Sequence, residues 1–245
     1  MNKIQQAFEN KKAFIPFITG GDPTLDVTEQ LLYAMESAGA DLIEIGIPFS
    51  DPKAGCTTDK LFDMIQRARK KVTVPIVFLT YVNPIFTYGK ERFMKRCVEC
   101  GIDGIIVPDM PYEERQELAP ACDAYGIDII PLIAPTSKDR ITMIAKAAKG
   151  YIYCVSSLGV TGVRSEIRTD IGAMVELVRQ ATDVPCAVGF GISTPEQAYH
   201  MAKVSDGAIV GSAIVKIVAK YGKDCVPYVA QYVKEMKAAV DRAKG

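Results

Sequence analysis

The sequence contains a single histidine, His200, and so offers little for chemistry that depends on imidazole groups. His200 lies inside the helical pattern EQAYHMAKV rather than at the end of a strand. Metal sites and acid–base pairs in enzymes are often built from histidine. We therefore expect no metal site and no histidine-based catalysis in this chain, and nothing in the sequence predicts a bound cofactor.

The sequence also lacks an excess of charge of either sign, because 29 Lys and Arg residues balance 29 Asp and Glu residues. Binding to nucleic acid or to an anionic membrane surface depends on a strong positive field. The balance argues against both partners. Any anion that this protein binds must be held by a local arrangement of groups.

Long apolar runs are absent too: no stretch reaches the roughly 18 uncharged residues of a membrane span, and MNKIQQAFENKKAF does not resemble a signal peptide. The seven cysteines are scattered through apolar segments. Cys97 and Cys100 have the spacing of half a zinc or redox site, but no second pair or histidine is near them, which favours core thiols. We expect a cytoplasmic protein with reduced cysteines.

What the sequence does contain is a regular alternation of short apolar runs with amphipathic segments. Continuous apolar strands that alternate with helices predict a parallel sheet covered by helices. Eight such runs favour closure into a (β/α)8 barrel, and a barrel of about 250 residues is usually one domain, here residues 1–245. The runs are AFIPFIT, DLIEIG, VPIVFLTY, GIIVPD, IDIIPLIA, YIYCVSS, CAVGFG and GAIVGSA.

Helices and a weak internal repeat support this architecture. Thr24 is expected to begin one helix and Thr57 or Thr58 the next, and the segment 224–244 has the spacing of a final amphipathic helix. Three strands are entered through a small residue and an aspartate, in AGADLIEIG, CGIDGIIVPD and VSDGAIVGSA. A sequence pattern that recurs in this way fits a barrel built from repeated βα units.

Active sites of such barrels lie at the carboxyl ends of the strands, and this rule selects the candidate residues. It selects Asp22, Glu44, Tyr81, Asn83, Asp109 and Tyr153, together with the glycine turns after the last three strands.

Glu44 is the most informative candidate, because its carboxyl lies within Leu42-Ile43-Glu44-Ile45-Gly46. Apolar surroundings disfavour the charged form and raise the pKa of a carboxyl toward the range useful for proton transfer. A surface glutamate on an edge strand is the alternative, but helices cover the outer face of a closed barrel.

The glycine turns predict a phosphate site. Glycine allows a close approach of backbone amides to a ligand, and a helix N-terminus adds free N–H groups. No Arg or Lys lies at these turns, so a monophosphate would be held mainly by backbone; ordinary tight turns are the alternative. The turns are Gly159-Val160-Thr161-Gly162, Gly189-Phe190-Gly191-Ile192-Ser193 and Gly211-Ser212-Ala213.

Apolar side chains near the same strand ends could line a slot for a flat ring. They are Phe17, Leu79, Ile133 and Phe190. For each residue taken alone, ordinary barrel core remains the simpler interpretation.

In order and spacing, the segments IEIGIPFSDP, FLTYVNPIF, GIIVPDMPYEE, SSLGVTG, GFGIS and GSAIVKI resemble the tryptophan synthase alpha chain family. The resemblance implies a lyase that splits indole-3-glycerol phosphate into indole and glyceraldehyde 3-phosphate. It implies that Glu44 is the catalytic glutamate and Tyr153 the active-site tyrosine. Phe17, Leu79 and Phe190 match residues around the indole, and Thr161 matches a threonine of the loop after the sixth strand. The family's phosphate-binding backbone is matched by Gly162, Gly191, Gly211 and Ser212.

The chain departs from the family at one place. Family members carry a second catalytic carboxylate in a loop after the Ser-Asp-Pro turn. Here Ser50-Asp51-Pro52 runs directly into Lys53-Ala54-Gly55, and no residue can be assigned that role.

Proline-containing turns after the second, third and fourth strands are expected to cluster on one side of the mouth. In the family this side faces the beta chain, a pyridoxal phosphate enzyme. The interface candidates are Asp51, Pro52, Asn83, Asp109 and Pro111.

Three functions remain open at this point. The first is the lyase, and the second is a barrel that binds and regulates the beta chain without cleaving substrate, because the loop is absent. The third is another phosphate-binding barrel, such as a sugar-phosphate isomerase, which would usually need further acids, a metal or a histidine at the mouth.

Overall fold

A computed structural model describes residues 2–48, 56–155, 171–189 and 191–244. In these ranges no helix is long and apolar enough to cross a membrane. The strands are β1 (Ala13–Thr19), β2 (Ile43–Gly46), β3 (Ile76–Leu79), β4 (Gly104–Ile106), β5 (Asp128–Ile129), β6 (Leu132–Ile133), β7 (Ile152–Val155), β8 (Cys186–Gly189) and β9 (Gly207–Val210). The α-helices are α1 (Lys3–Gln6), α2 (Leu25–Ser37), α3 (Thr58–Ala68), α4 (Val82–Tyr88), α5 (Lys90–Cys100), α6 (Ala119–Tyr125), α7 (Lys138–Lys146), α8 (Ile171–Ala181), α9 (Pro195–Val204), α10 (Ser212–Tyr221) and α11 (Val226–Arg242), with 3₁₀ turns at Tyr112–Glu117 and Gly222–Asp224.

The strands form one parallel sheet in the order β5-β4-β3-β2-β1-β9-β8-β7-β6. Its two ends are consecutive pieces of the fifth predicted strand. The N–H of Ile130 donates to Ile105 on one side at 2.8 Å, and the carbonyl of Pro131 accepts from Tyr153 on the other at 3.0 Å. The sheet therefore closes into the predicted barrel. The fifth predicted strand is split into β5 and β6, because Pro131 has no N–H to continue the hydrogen-bond ladder.

The helix boundaries follow the predicted caps. The Thr24 hydroxyl accepts from the N–H of Val27 at the start of α2, and the Thr57 hydroxyl accepts from Lys60 at the start of α3. The final helix, α11, buries Val229, Val233, Met236, Ala239 and Val240 and packs against α9 and α2. These predictions are confirmed.

Alternation along the strands separates two apolar layers. One layer lies between sheet and helices and includes Phe14 and Ile18 of β1. The other fills the barrel interior and includes Ile15 of β1, Tyr151 and Tyr153. All seven cysteines are buried and free. Cys97 and Cys100 thus lie in the core, as predicted.

The repeated aspartate has one structural role at the amino ends of the strands. In each repeat its carboxylate accepts from an N–H within the first two residues of the preceding strand and pairs with a basic side chain that precedes that strand. The three sets are Asp41 with Phe14 (2.8 Å) and Lys11 (2.6 Å), Asp103 with Ile76 (3.0 Å) and Arg69 (2.7 Å), and Asp206 with Cys186 (2.9 Å) and Arg179 (3.1 Å). These clamps tie neighbouring strands together at the face away from the mouth.

We expect Asp103→Ala to lower the free energy of unfolding by about 3 kcal/mol, because it leaves the N–H of Ile76 and the largely buried Arg69 without this partner. Asp63→Ala is the control, since Asp63 pairs with Arg96 at 2.6 Å but is 61% exposed. The control should lose less than about 1 kcal/mol. Urea denaturation of both variants measures the difference; equal losses would contradict the role of the clamp.

Candidate active site

Glu44 projects into the barrel interior from β2. The side chain is completely buried, and it lies beside Phe17 of β1 and Val77 of β3 in the strand register. Inward positions alternate along a strand, so Leu42 and Gly46 share this face. The apolar setting predicted for Glu44 is therefore present.

One oxygen of Glu44 is held and the other is not. The hydroxyl of Tyr151, the residue before β7, donates to Oε1 at 2.5 Å across the barrel. Oε2 is buried and has no hydrogen-bond partner among the residues that the structure describes. A buried polar atom without a partner is costly and calls for an explanation, of which a catalytic role is one.

Burial raises the pKa of Glu44 to about 8, and the hydrogen bond from Tyr151 opposes this shift by favouring the charged form. Burial also raises the pKa of Tyr151 and of Tyr153 well above the ordinary phenol value, and the negative charge of Glu44 adds to both shifts. Both tyrosines therefore stay protonated. Glu44 is the group here that can exchange a proton near neutral pH.

Tyr153 lies two residues after Tyr151 on the same inner face, and a glycine makes room for it. A Cβ on Gly189 of β8 would lie 2.6 Å from Cε1 of Tyr153 and closer still to the hydroxyl. Such a contact is too short for real atoms. The bare backbone of Gly189 therefore allows the Tyr153 ring to extend toward the mouth.

Phe17 faces the mouth between two further glycines. A Cβ on Gly46 would lie 2.7 Å from Cζ of the ring, and a Cβ on Gly211 would lie 3.3 Å from Cδ1. Leu79 packs at the upper edge of the interior cluster. Phe17 and Leu79 therefore border the space above Glu44, as a slot for a ring requires.

Ile133 does not join them. It is fully buried in the layer between sheet and helices, with Ile141 of α7 and Met174 of α8. Its neighbour Leu132 packs against the interior cluster instead. The expectation that Ile133 lines the slot is wrong, because its side chain points to the outer face of the sheet. Pro131 interrupts the strand, and the short run IDIIPLIA does not show which residues after it point inward.

The last two turns place backbone at the mouth. Gly191 has φ 78°, in the left-handed region, and no described residue beyond its chain neighbours lies within 4 Å of where its Cβ would be. Gly211 precedes α10, which begins at Ser212 without a side-chain cap or an acidic residue in its first turn. The other predicted members, Thr161, Gly162 and Phe190, lie outside the described residues.

Two of the three predicted interface turns lie side by side. The carboxylate of Asp109 accepts from the N–H of Val82 at 3.0 and 3.3 Å and so caps α4. Asn83, Asp109 and Pro111 are exposed. Tyr81 and Phe86 on the same surface are 41% and 44% exposed. Asp51 and Pro52 lie outside the described residues.

Tyr151 was not predicted from the sequence. The alternation in Tyr151-Ile152-Tyr153 puts both phenols on one face, so the signal was present. What the sequence does not show is that the ring of Tyr151 spans the barrel to reach Glu44. In the described part of the chain, no group of three or more His, Cys, Asp and Glu could hold a metal ion.

Comparisons with known proteins agree on one family. A family model described as "Tryptophan synthase alpha chain" matches residues 4–241. The tryptophan synthase alpha chain of Lacticaseibacillus casei is 46% identical, and the alignment covers 100% of this chain and 97% of that protein. The crystal structure of the tryptophan synthase alpha chain from Legionella pneumophila is 32% identical, with a TM-score of 0.87 and coverage of 99% and 98%. A structure of the tryptophan synthase α2β2 complex from Pyrococcus furiosus, which concerns mutual activation, is 31% identical, with a TM-score of 0.85 and coverage of 93% and 99%.

The alignment with the Lacticaseibacillus protein is longer than this chain. It spans 259 positions, whereas the chain has 245 residues. The relative therefore has residues with no counterpart here. This difference accords with the loop that the sequence lacks after Ser50-Asp51-Pro52, a turn that lies outside the described residues.

The raised pKa of Glu44 predicts a loss of stability with rising pH. The unfolded carboxyl ionises near 4.5 while the folded one stays protonated to about 8. The unfolded state therefore binds fewer protons, and stability should fall by roughly 2–5 kcal/mol across that window. Unfolding measured from pH 4.5 to 8 should show this slope in the unaltered protein and lack it in Glu44→Gln. Glu117→Gln, at an exposed site, should keep the slope; a slope that persists in Glu44→Gln would contradict the shift.

Proposed function

The chain belongs to the tryptophan synthase alpha chain family and is a lyase that cleaves indole-3-glycerol phosphate, and we propose that Glu44 moves the protons of this cleavage. The observation that carries the proposal is the buried carboxyl with a pKa of about 8 and an unpaired Oε2. A general acid or base works best when its pKa lies near the working pH. Family membership favours the lyase over a non-cleaving barrel.

The reaction needs two proton movements. A retro-aldol cleavage removes a proton from the hydroxyl that becomes the aldehyde oxygen, and it adds a proton to the indole carbon that loses its substituent. A carboxyl that is partly ionised at neutral pH can take part in both movements. Oε2 of Glu44 is the atom available for them, because Oε1 is occupied by Tyr151.

The indole ring is proposed to lie above Glu44, bordered by Phe17 and Leu79, with Tyr153 on the opposite wall. These side chains belong to three different strands and face the same interior. Phe190 would complete the slot on the side of β8. An apolar slot orients a flat ring and excludes water from the reacting carbon.

The phosphate is proposed to bind at the turns after β8 and β9. Within the described residues, nothing lies beside the Cα of Gly191, and no side chain caps the first N–H groups of α10. The N-terminus of a helix attracts anions through these groups and the helix dipole. Gly162 and Thr161 would join from the turn after β7.

The absence of a second carboxylate is proposed to slow the reaction rather than to abolish it. A positioned acid or base typically contributes about 10²–10⁴-fold in rate. Glu44 is the one fully buried glutamate among the described residues. We expect a turnover below that of relatives with the complete loop.

We further propose a beta chain as partner, in an α2β2 assembly like that of the Pyrococcus furiosus structure. The surface that would dock is α4 with the adjoining turns, where Asn83, Asp109 and Pro111 are exposed beside Tyr81 and Phe86. Exposed aromatic groups on a rigid surface are typical of interfaces. Asp51 and Pro52 would extend this surface.

Free, buried cysteines fit a cytoplasmic protein.

The assignment of the site predicts a split between kcat and KM. We expect Glu44→Gln to lower kcat by about 10²–10⁴-fold with little change in KM, since the amide keeps the size but loses the titratable proton. Ser212→Asp places a negative charge at the start of α10 and should raise KM by about tenfold or more, because it repels the phosphate. Indole release, followed by absorbance over a range of substrate concentrations, gives both constants.

Ser137→Asp is the control, since Ser137 is the N-cap of another helix, α7, where Asp can also accept from the N–H of Arg140, and none of the proposed phosphate turns leads into α7. It should leave kcat and KM unchanged. Full turnover by Glu44→Gln would contradict the role of Glu44 in proton transfer. An unchanged KM in Ser212→Asp would contradict phosphate binding at the start of α10.

The proposed interface predicts a specific effect of Asp109→Ala. The change removes the cap of α4, whose own N-cap makes no side-chain hydrogen bond, and should weaken association with a purified beta chain by about tenfold. Asp123→Ala is the control, because Asp123 lies on α6, away from the mouth, and pairs there with Lys149. Light scattering or calorimetry measures both affinities. Equal affinity of the two variants would place the interface elsewhere.

A further inference from the structure

The N-terminal segment closes the end of the barrel opposite the mouth. Its helix α1 has four residues and is too short to be stable alone, so tertiary contacts must hold it. The side chain of Asn2 donates to Asp128 of β5. Ile4 is 1% exposed and belongs to the interior cluster, where its Cδ1 would lie 3.1 Å from a Cβ on Gly104 of β4. The segment is thus fastened to the strands on one side of the barrel.

Phe8 of this segment packs against the ring of Tyr151. It is 8% exposed and lies in the interior cluster with Tyr151. The two ring centroids are 5.7 Å apart with the planes at 35°. Tilted aromatic pairs at this distance attract each other beyond the burial of their area. Phe8 therefore restricts where the Tyr151 ring can lie.

Tyr151 in turn decides the position of the carboxyl above it. Its hydroxyl donates to Oε1 of Glu44, and Oε2 accepts from no group in the described part of the chain. The titratable groups that face Glu44 among the described residues are Tyr151 and Tyr153, both from the β7 side. A rotation of Tyr151 would remove the hydrogen bond that orients the carboxyl.

We propose that the N-terminal segment is a positioning element for the active site, in which Phe8 holds Tyr151 and Tyr151 holds Glu44. The chain of contact runs from the closed end of the barrel to the reacting carboxyl. Phe8 touches no substrate in this arrangement and acts only through the Tyr151 hydroxyl. The inference rests on the proposed role of Glu44 for its effect on rate, but not for its effect on the carboxyl itself.

The first test measures the carboxyl directly. Infrared difference spectra against Glu44→Gln isolate the protonated Glu44 band, and its titration needs no turnover. Loss of a hydrogen bond to the charged form should move the midpoint upward, by about one pH unit, in Tyr151→Phe and in Phe8→Leu. Phe93→Leu is the control, because Phe93 is also buried but packs on Phe62 and Phe78 in the layer between sheet and helices.

The second test asks whether Phe8 acts through Tyr151. We expect Phe8→Leu to lower kcat about tenfold with KM unchanged, and to have no further effect on kcat or on the Glu44 midpoint when Tyr151 is already Phe. Thermal unfolding of all variants controls for general loss of stability. Phe93→Leu should lower the melting temperature while leaving the Glu44 midpoint where it was.

The results distinguish the contacts that hold the Glu44 carboxyl from the role of Glu44 in the reaction. An unmoved Glu44 midpoint in Phe8→Leu, or equal effects of Phe8→Leu with and without the Tyr151 hydroxyl, would overturn the positioning role. A moved midpoint without any change in indole release would support the contact chain and overturn the role of Glu44 in the reaction instead.

Discussion

Closure of the parallel sheet at Ile130 and Pro131 is the constraint on which the rest of the molecule depends. These two residues hydrogen-bond to opposite neighbours, so the sheet has no free edge in this region. A closed sheet has an interior that water can reach only from its ends. The carboxyl of Glu44 is desolvated for this reason, although it lies on a strand of only four residues.

The two ends of the barrel differ in structure. At the amino ends, aspartates such as Asp41 and Asp103 tie neighbouring strands together, and the N-terminal segment fills the opening. At the carboxyl ends, glycines replace side chains, which leaves room for Phe17 and Tyr153 and exposes backbone amides. The stabilising aspartates thus lie at one face and the proposed binding site at the other, a division that is typical of barrels of this class. Phe8 and Tyr151 connect the two faces.

Much of the site was predictable because it depends on local pattern. Glu44 stands out as a carboxylate in an apolar run, and the glycine turns stand out by composition. Ile133 was assigned to the wrong face, since a proline in a short strand resets which residues point inward. Tyr151 was missed, since a contact between residues 107 positions apart leaves no trace in local sequence. The repeated aspartates were visible, but their partners on the preceding strands were not.

The sequence by itself determined the barrel architecture, the helix boundaries at Thr24 and Thr57, and the family, because alternation, capping residues and ordered motifs are properties of short segments. Tertiary structure decided where the barrel closes and which oxygen of Glu44 is left unpaired. It also decided that the pKa of this carboxyl rises to about 8. These properties depend on groups that are distant in the chain and meet only when the sheet closes and excludes water.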